Sequence, residues 1–172
     1  MATKVQIDTA KGVMIAELYD TQTPNTVDNF KKLIGEGFYD GLNFHRVLPN
    51  FVIQGGCPNK NGSGGPGYTI QCEVSAPKQF HDRGVLSMAH AGRNTGGSQF
   101  FICHNRGGVA HLDGNHTCFG KVIEGVEIID LIQSTNHFCW FLAHTHLQSP
   151  LQYLVSMFRH RRHYLIPIQC IV

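Results

Sequence analysis

The chain has 172 residues, 42% of them hydrophobic, and a formal net charge of +2, which predicts one soluble domain with enough length to bury a sizeable core. All 12 acidic residues lie within the first 133 positions, so the body is near neutral and offers no electrostatic footprint for nucleic acid. No apolar run approaches the eighteen or so residues that span a bilayer, and Met1-Ala2-Thr3-Lys4 opens onto a strand pattern rather than a leader, which points to a cytoplasmic protein. The six cysteines are scattered without a C-x-x-C pair and read as buried free thiols rather than a disulfide framework.

Val5, Ile7, Val13, Ile15 and Leu18 flank Thr9-Ala10-Lys11-Gly12 and predict a β-hairpin. Thr23 is the expected N-cap of a following helix, with Pro24 at its first position and Val27, Phe30 and Ile34 on one face. Gly35 and Gly37 end it. Strands are predicted at about 44–48, 51–55, 68–73, 84–89, 99–103 and 117–122, and a short helix at 126–132. Many short strands, glycine-rich turns and two helices exclude a βαβ alternation and indicate a mainly β antiparallel barrel or sandwich.

Residues 134–172 differ in kind. They hold no acid, three arginines (Arg159, Arg161, Arg162), many histidines and few turn signals. We therefore divide the chain into a domain over 1–133 and an atypical tail over 134–172. Two readings of the tail stay open. In one it is a divergent C-terminus whose residues 164–172 supply a strand despite Pro167. In the other it is translated in a shifted frame after about residue 133. Pro167 lacks one ladder donor, so poor closure of the sheet is expected on either reading.

Three runs concentrate groups able to do chemistry. The first is Phe44-His45-Arg46-Val47-Leu48-Pro49-Asn50-Phe51-Val52-Ile53-Gln54-Gly55-Gly56, with a cation, an aromatic ring and a neutral amide close together. The second is Leu86-Ser87-Met88-Ala89-His90-Ala91-Gly92-Arg93-Asn94-Thr95-Gly96-Gly97-Ser98-Gln99-Phe100-Phe101-Ile102. The third, Leu112-Asp113-Gly114-Asn115-His116, leads into Phe119-Gly120-Lys121-Val122. Together they resemble the cyclophilin family of peptidyl-prolyl cis-trans isomerases over roughly residues 4–132.

The resemblance implies an eight-stranded antiparallel barrel capped by two helices, with its last strand missing or replaced. It implies catalysis of X–Pro rotation with no cofactor and no metal. It assigns Arg46, Phe51, Gln54 and His116 to catalysis, and Val52, Ala89, His90, Ala91, Gln99, Phe101, His111 and Leu112 to substrate binding. Phe51, Val52, Phe101 and Leu112 would form the proline pocket, Gln54 and Gln99 would bind substrate backbone or hold Arg46, and His116 would close the rim. Val52 stands where the family usually has methionine. His111 stands where many members have tryptophan, which implies weak binding of cyclosporin-type cyclic peptides. The implied partners are proline-containing peptides and folding proteins.

The chemistry suits these residue types. The X–Pro barrier is about 18–20 kcal/mol and arises from amide resonance. A rate gain of roughly 10⁴ needs about 5.5 kcal/mol. No bond is cleaved, so no nucleophile is required. A donor aimed at the nitrogen of the twisted amide, with an apolar seat for the ring, favours the transition state. The Arg46 guanidinium is such a donor. A binding module that keeps the groove but turns over poorly, because its C-terminus is defective, is the alternative. Other motifs are weaker. Gly62-Ser63-Gly64-Gly65-Pro66-Gly67 matches a dinucleotide fingerprint in letters but leads into a strand pattern, not a helix, and reads better as a loop beside a peptide groove. The tail histidines match no closed zinc site.

Overall fold

The computed structural model describes residues 2–134 and 140–144. Strands β1 (Lys4–Thr9) and β2 (Gly12–Leu18) form the expected hairpin. Helix α1 (Pro24–Gly35) follows, then β3 (Leu42–Asn43), β4 (Arg46–Leu48), β5 (Val52–Gly55), β6 (Val85–Met88) and β7 (Phe100–Cys103). A single turn, α2 (Arg106–Val109), runs into a 3-10 turn at Ala110–Leu112. Strand β8 (Cys118–Glu124), helix α3 (Ile128–Gln133) and strand β9 (Trp140–His144) complete the order.

All pairings are antiparallel, in the order β3-β9-β1-β2-β8-β6-β7-β5-β4. The two ends of that order, β3 and β4, are consecutive in the chain and separated only by Phe44 and His45. They are halves of one broken strand, which gives the expected eight. One half pairs with β9 and the other with β5, so the sheet curls back on itself through this strand. Strand β9 lies between β3 and β1, with Asn43 opposite Trp140 and Gln6 opposite His144. The last strand is thus replaced, by 140–144. The segment expected to replace it, 164–172, lies outside the described residues.

The sheet buries apolar groups on both faces. Val5, Ile7, Met14, Ile53, Leu86, Phe100, Ile102 and Phe119 join Val27, Phe30 and Leu33 of α1 and Ile128, Ile129 and Ile132 of α3 in the main core. Alternate residues of the same strands, Val52, Phe101, Cys103 and Cys118, form a second cluster on the opposite face. This two-sided burial explains why Phe100-Phe101-Ile102-Cys103 is apolar without interruption: all four residues are buried.

Two local expectations are corrected. Residues 68–73 are not a strand; they make one isolated bridge, Ile70 to Gly96. Their alternation reflects a coil crossing the surface beside the second and third runs. Thr23 precedes α1 but its side chain does not cap it; the hydroxyl turns back to the Tyr19 carbonyl at 3.4 Å. The cap comes instead from Glu73. Its carboxylate accepts the Asn25 and Thr26 backbone N–H groups at 3.2 and 2.9 Å, and the Thr26 hydroxyl at 2.7 Å. An anion at a helix N-terminus also complements the helix dipole. Replacing it with alanine, Glu73→Ala, should lower unfolding free energy by about 1–2 kcal/mol in urea titration. Isomerisation at low temperature should be unchanged, since Glu73 does not line the cavity described next.

Candidate functional site

Val52 and Phe101 of the second cluster, with Phe51, Ala89 and Leu112 packed against it, form the floor of an open cavity of about 920 Å³. Eleven of the twelve residues expected at the site line it: Arg46, Phe51, Val52, Gln54, Ala89, His90, Ala91, Gln99, Phe101, Leu112 and His116. The exception is His111. It is exposed just outside, its ring stacked on Phe51 at 5.7 Å with 6° between planes.

Strands β4 and β5 place the first run. Arg46 sits opposite Gln54 in their register, so both side chains leave the same face. Arg46 is exposed, donates from Nη1 to Gln54 Oε1 at 3.3 Å, and lies 5.7 Å from the Phe51 ring centre. Gln54 then donates from Nε2 to Gln99 Oε1 at 3.1 Å. Gln99 in turn donates to the Gly62 and Gly64 carbonyls, both at 2.8 Å. A line of hydrogen bonds therefore runs from the glycine-rich loop to the guanidinium and fixes each amide's orientation. The loop is curled over buried Cys57, whose Sγ accepts the Gly62 and Gly64 N–H groups at 3.2 Å each. Burial raises the Cys57 thiol's pKa, but hydrogen bonds from the backbone of Asn61, Gly64, Gly62 and Asn59 outweigh it and leave the thiol below its ordinary value. Gly56 follows β5 at φ +81°, where a Cβ would collide with the Ser98 carbonyl, so only glycine lets the chain approach Ser98 and Gln99 this closely.

The apolar floor is Val52 and Phe101, both buried, with Phe51 and Leu112 packed against their cluster. His116 stands over it. Its Nδ1 is 3.0 Å from the Met88 carbonyl and its ring meets Phe101 edge-on at 5.5 Å. His90 stacks on His116 at 4.0 Å. His90 accepts the Gly92 N–H at Nδ1 and faces the Asn115 carbonyl from Nε2 at 2.9 Å, so both ring nitrogens are committed to backbone partners. The Ala89 N–H is held by the Gln99 carbonyl at 2.9 Å.

Other lining residues, His45, Asn61, Ser63, Gly65, Tyr68, Thr69, Thr95 and Ser98, extend the cavity into a groove. The glycine-rich loop was legible as a groove neighbour. His45 was not singled out, although it adjoins Arg46. Its Nδ1 is buried and finds no partner among the described residues.

His45, His81 and His116 are each held below the ordinary imidazole value of 6.5, in each case chiefly by burial. The unfolded chain therefore takes up protons first as pH falls. Stability should be level above 6.5, fall as pH drops below it, and level again beneath the folded-state values. The urea midpoint should be lower at pH 5.5 than at pH 7.5; an unchanged midpoint would contradict the burial of these rings.

The sequence profile described as "Cyclophilin type peptidyl-prolyl cis-trans isomerase/CLD" matches residues 4–148. Peptidyl-prolyl cis-trans isomerase B of Bacillus subtilis is 61% identical over 111 residues, covering 64% of this chain and 76% of that protein. A peptidyl-prolyl cis-trans isomerase of Synechococcus elongatus is 54% identical over 132 residues, covering 77% and 88%. A crystal structure of a Cryptosporidium parvum cyclophilin-type isomerase superposes with a TM-score of 0.77 at 32% identity, over 85% of this chain and 99% of that one. The same protein crystallised in the presence of the dipeptide Ala-Pro superposes with a TM-score of 0.75 at 32% identity, over 83% and 99%.

Proposed function

This chain belongs to the cyclophilin-type peptidyl-prolyl cis-trans isomerases, and we propose that it turns X–Pro bonds with Arg46 as the donor to the twisted amide nitrogen. Its activity is isomerisation of the X–Pro peptide bond and its ligands are proline-containing peptides. One observation carries the mechanistic reading: a permanently charged fork, held through Gln54 and Gln99, stands beside an apolar floor of Phe51, Val52, Phe101 and Leu112. The proline ring seats on that floor. Arg46 donates from Nη1 to Gln54, and its other N–H groups face the ring nitrogen as it becomes pyramidal and more basic. Charge-assisted hydrogen bonds contribute about 1.5–3 kcal/mol each. The rest of the rate gain comes from the pocket and from backbone groups at Ala89, His90 and Ala91, which hold the peptide as an added strand. His116 closes the rim. We assign the isomerase domain to 1–133 and treat 134–172 as an atypical tail that adds strand β9.

The assay that tests this reading follows cis-to-trans conversion of a short proline peptide. Turnover well above the uncatalysed rate is expected. Peptide binding without acceleration would favour the binding-module alternative instead.

Free thiols at Cys57, Cys72, Cys103 and Cys118 support a cytoplasmic location. No helix among the described residues is long and apolar enough to cross a membrane. For cyclosporin-type peptides we expect weak inhibition. His111 covers the outer face of Phe51 with a small ring. His111→Trp should strengthen inhibition about tenfold, in line with about 1–2 kcal/mol of added apolar burial. A wild-type affinity equal to or tighter than the variant's contradicts the assignment.

A further inference from the structure

We propose that the His90 side chain is a positioning residue for peptide binding, a clamp between the peptide-binding edge of the groove and its rim that a proton opens. The inference rests on the assignment of Ala89, His90 and Ala91 to that edge, where their backbone groups hold the substrate. The His90 ring has a separate task. Its Nε2 lies 2.9 Å from the Asn115 carbonyl, and its Nδ1 is 3.2 Å from the Gly92 nitrogen. A carbonyl cannot donate, so Nε2 carries the hydrogen and Nδ1 accepts with its lone pair. The flat face of the ring stacks on His116 at 4.0 Å with 17° between planes.

These three contacts join two walls of the cavity. Gly92 opens the turn that follows the peptide-binding edge. The Thr95 hydroxyl donates to the Gly92 carbonyl at 2.7 Å and accepts the Ala91 N–H at 3.1 Å. Asn94, in the same turn, is held by Cys72: its N–H donates to the Cys72 Sγ at 3.2 Å, and its Oδ1 accepts the Cys72 N–H at 2.9 Å. Asn115 and His116 belong to the rim loop, and His116 Nδ1 reaches back to the Met88 carbonyl at 3.0 Å. One ring at position 90 therefore fixes the edge against the rim on one side of the groove.

A proton on Nδ1 removes the acceptor. Two N–H groups then face each other, and the turn loses its tie to the ring. The same proton sets a charge against the face of His116, and stacked imidazoles at this spacing repel when both are charged. The surroundings direct the proton to His90. Its bonds lie in the open, while that of His116 is half-buried. Burial chiefly holds His116 below the ordinary imidazole value; the Met88 carbonyl opposes this, and His90, His81 and His111 add repulsion. Arg93 stands exposed on the same turn as His90, and Asp113 of the rim loop is taken by Arg106 and His81. Among the described residues no carboxylate lines the cavity, so nothing there stabilises a doubly charged pair. The edge holds resting peptide and transition state alike. Loosening it weakens binding and leaves the rotation step nearly as it was.

The test measures kcat and KM by NMR exchange on a blocked, uncharged proline peptide at pH 7.5 and pH 5.5, with circular dichroism showing each protein folded at both. Wild type is compared with His90→Phe, which keeps a ring on His116 and removes both hydrogen bonds, and with His90→Gln, which takes up no proton. In wild type, KM should rise about threefold or more on acidification with kcat changed less than about twofold, and the Gly92 amide resonance should move with the same midpoint. In His90→Phe, KM should already be raised at pH 7.5. In both variants the rise with acid should shrink to less than about half of the wild-type rise. A merely structural ring would raise KM in the variants and leave the pH response in place. A wild-type KM that is equal at the two pH values, or variants that keep half or more of the response, overturns the inference. If one variant does not fold, the other decides alone. Arg46→Ala is run alongside at pH 7.5. If it loses turnover while the His90 variants keep the wild-type response, only the His90 inference fails. If it keeps turnover, the reading of the site itself fails.

Discussion

Arg46→Ala should lower kcat/KM at least about tenfold while the melting temperature stays within about 2 °C of wild type. The asymmetry follows from where the side chain sits. Arg46 is exposed on a short strand, and its polar contact is a 3.3 Å bond to a partly buried glutamine that Gln99 also holds. Truncation leaves no buried charge and no cavity, so folding loses little. The donor to the amide nitrogen disappears, and one charge-assisted bond of about 1.5–3 kcal/mol corresponds to roughly ten- to hundredfold in rate. Arg46→Lys should fall between the two, because the charge remains but the planar fork that matches Gln54 and substrate together is lost. Near-wild-type turnover in purified Arg46→Ala would sink the assignment.

Ending the chain at residue 134 should lower the melting temperature by about 10 °C or more and promote aggregation. Strand β9 pairs with β1 over four positions and with β3 over two. Net contributions of about 0.5–1.5 kcal/mol per backbone hydrogen bond make its loss several kcal/mol. The loss also uncovers the edges of β1 and β3 that β9 pairs with. The residues from Arg46 to His116 all remain, so any folded fraction should still turn over substrate. Amide exchange provides a second reading: β1 amides protected in the full chain should exchange faster in the shortened one. An unchanged melting curve and unchanged exchange at β1 would mean that β9 adds nothing to the sheet.

The parts of the site that lay close together in sequence were legible there. Arg46, Phe51, Val52 and Gln54 fall on one two-stranded unit, so a single run of residues shows most of the floor and its cation. Contacts made across the chain left no local mark. Glu73 caps a helix that begins nearly fifty residues earlier, and Thr23, with the right chemistry at the right position, is used elsewhere. The alternation at 68–73 resembled a strand because periodicity records exposure, not a pairing partner. The task of the His90 ring was invisible for a related reason. Its meaning lies in Asn115 and His116, which a different segment supplies. The sequence reading places a substitute strand at 164–172, whereas the strand that pairs with β1 and β3 among the described residues is 140–144, a segment with no alternation to mark it.

The position of β9 sets a clock on synthesis. Gln6 emerges early, yet its partner in the sheet is His144. At translation rates of 5–20 residues per second, β1 waits on the order of ten seconds for the strand that covers its outer edge. The β1–β2 and β4–β5 pairs join near neighbours and can form at once. The seam between β3 and β1 stays open until the last described strand arrives. An enzyme that speeds a slow rotation in X–Pro peptides thus has a slow step of its own, spent with its first strand uncovered. Factors that shield emerging chains should matter to its yield more than to its finished stability.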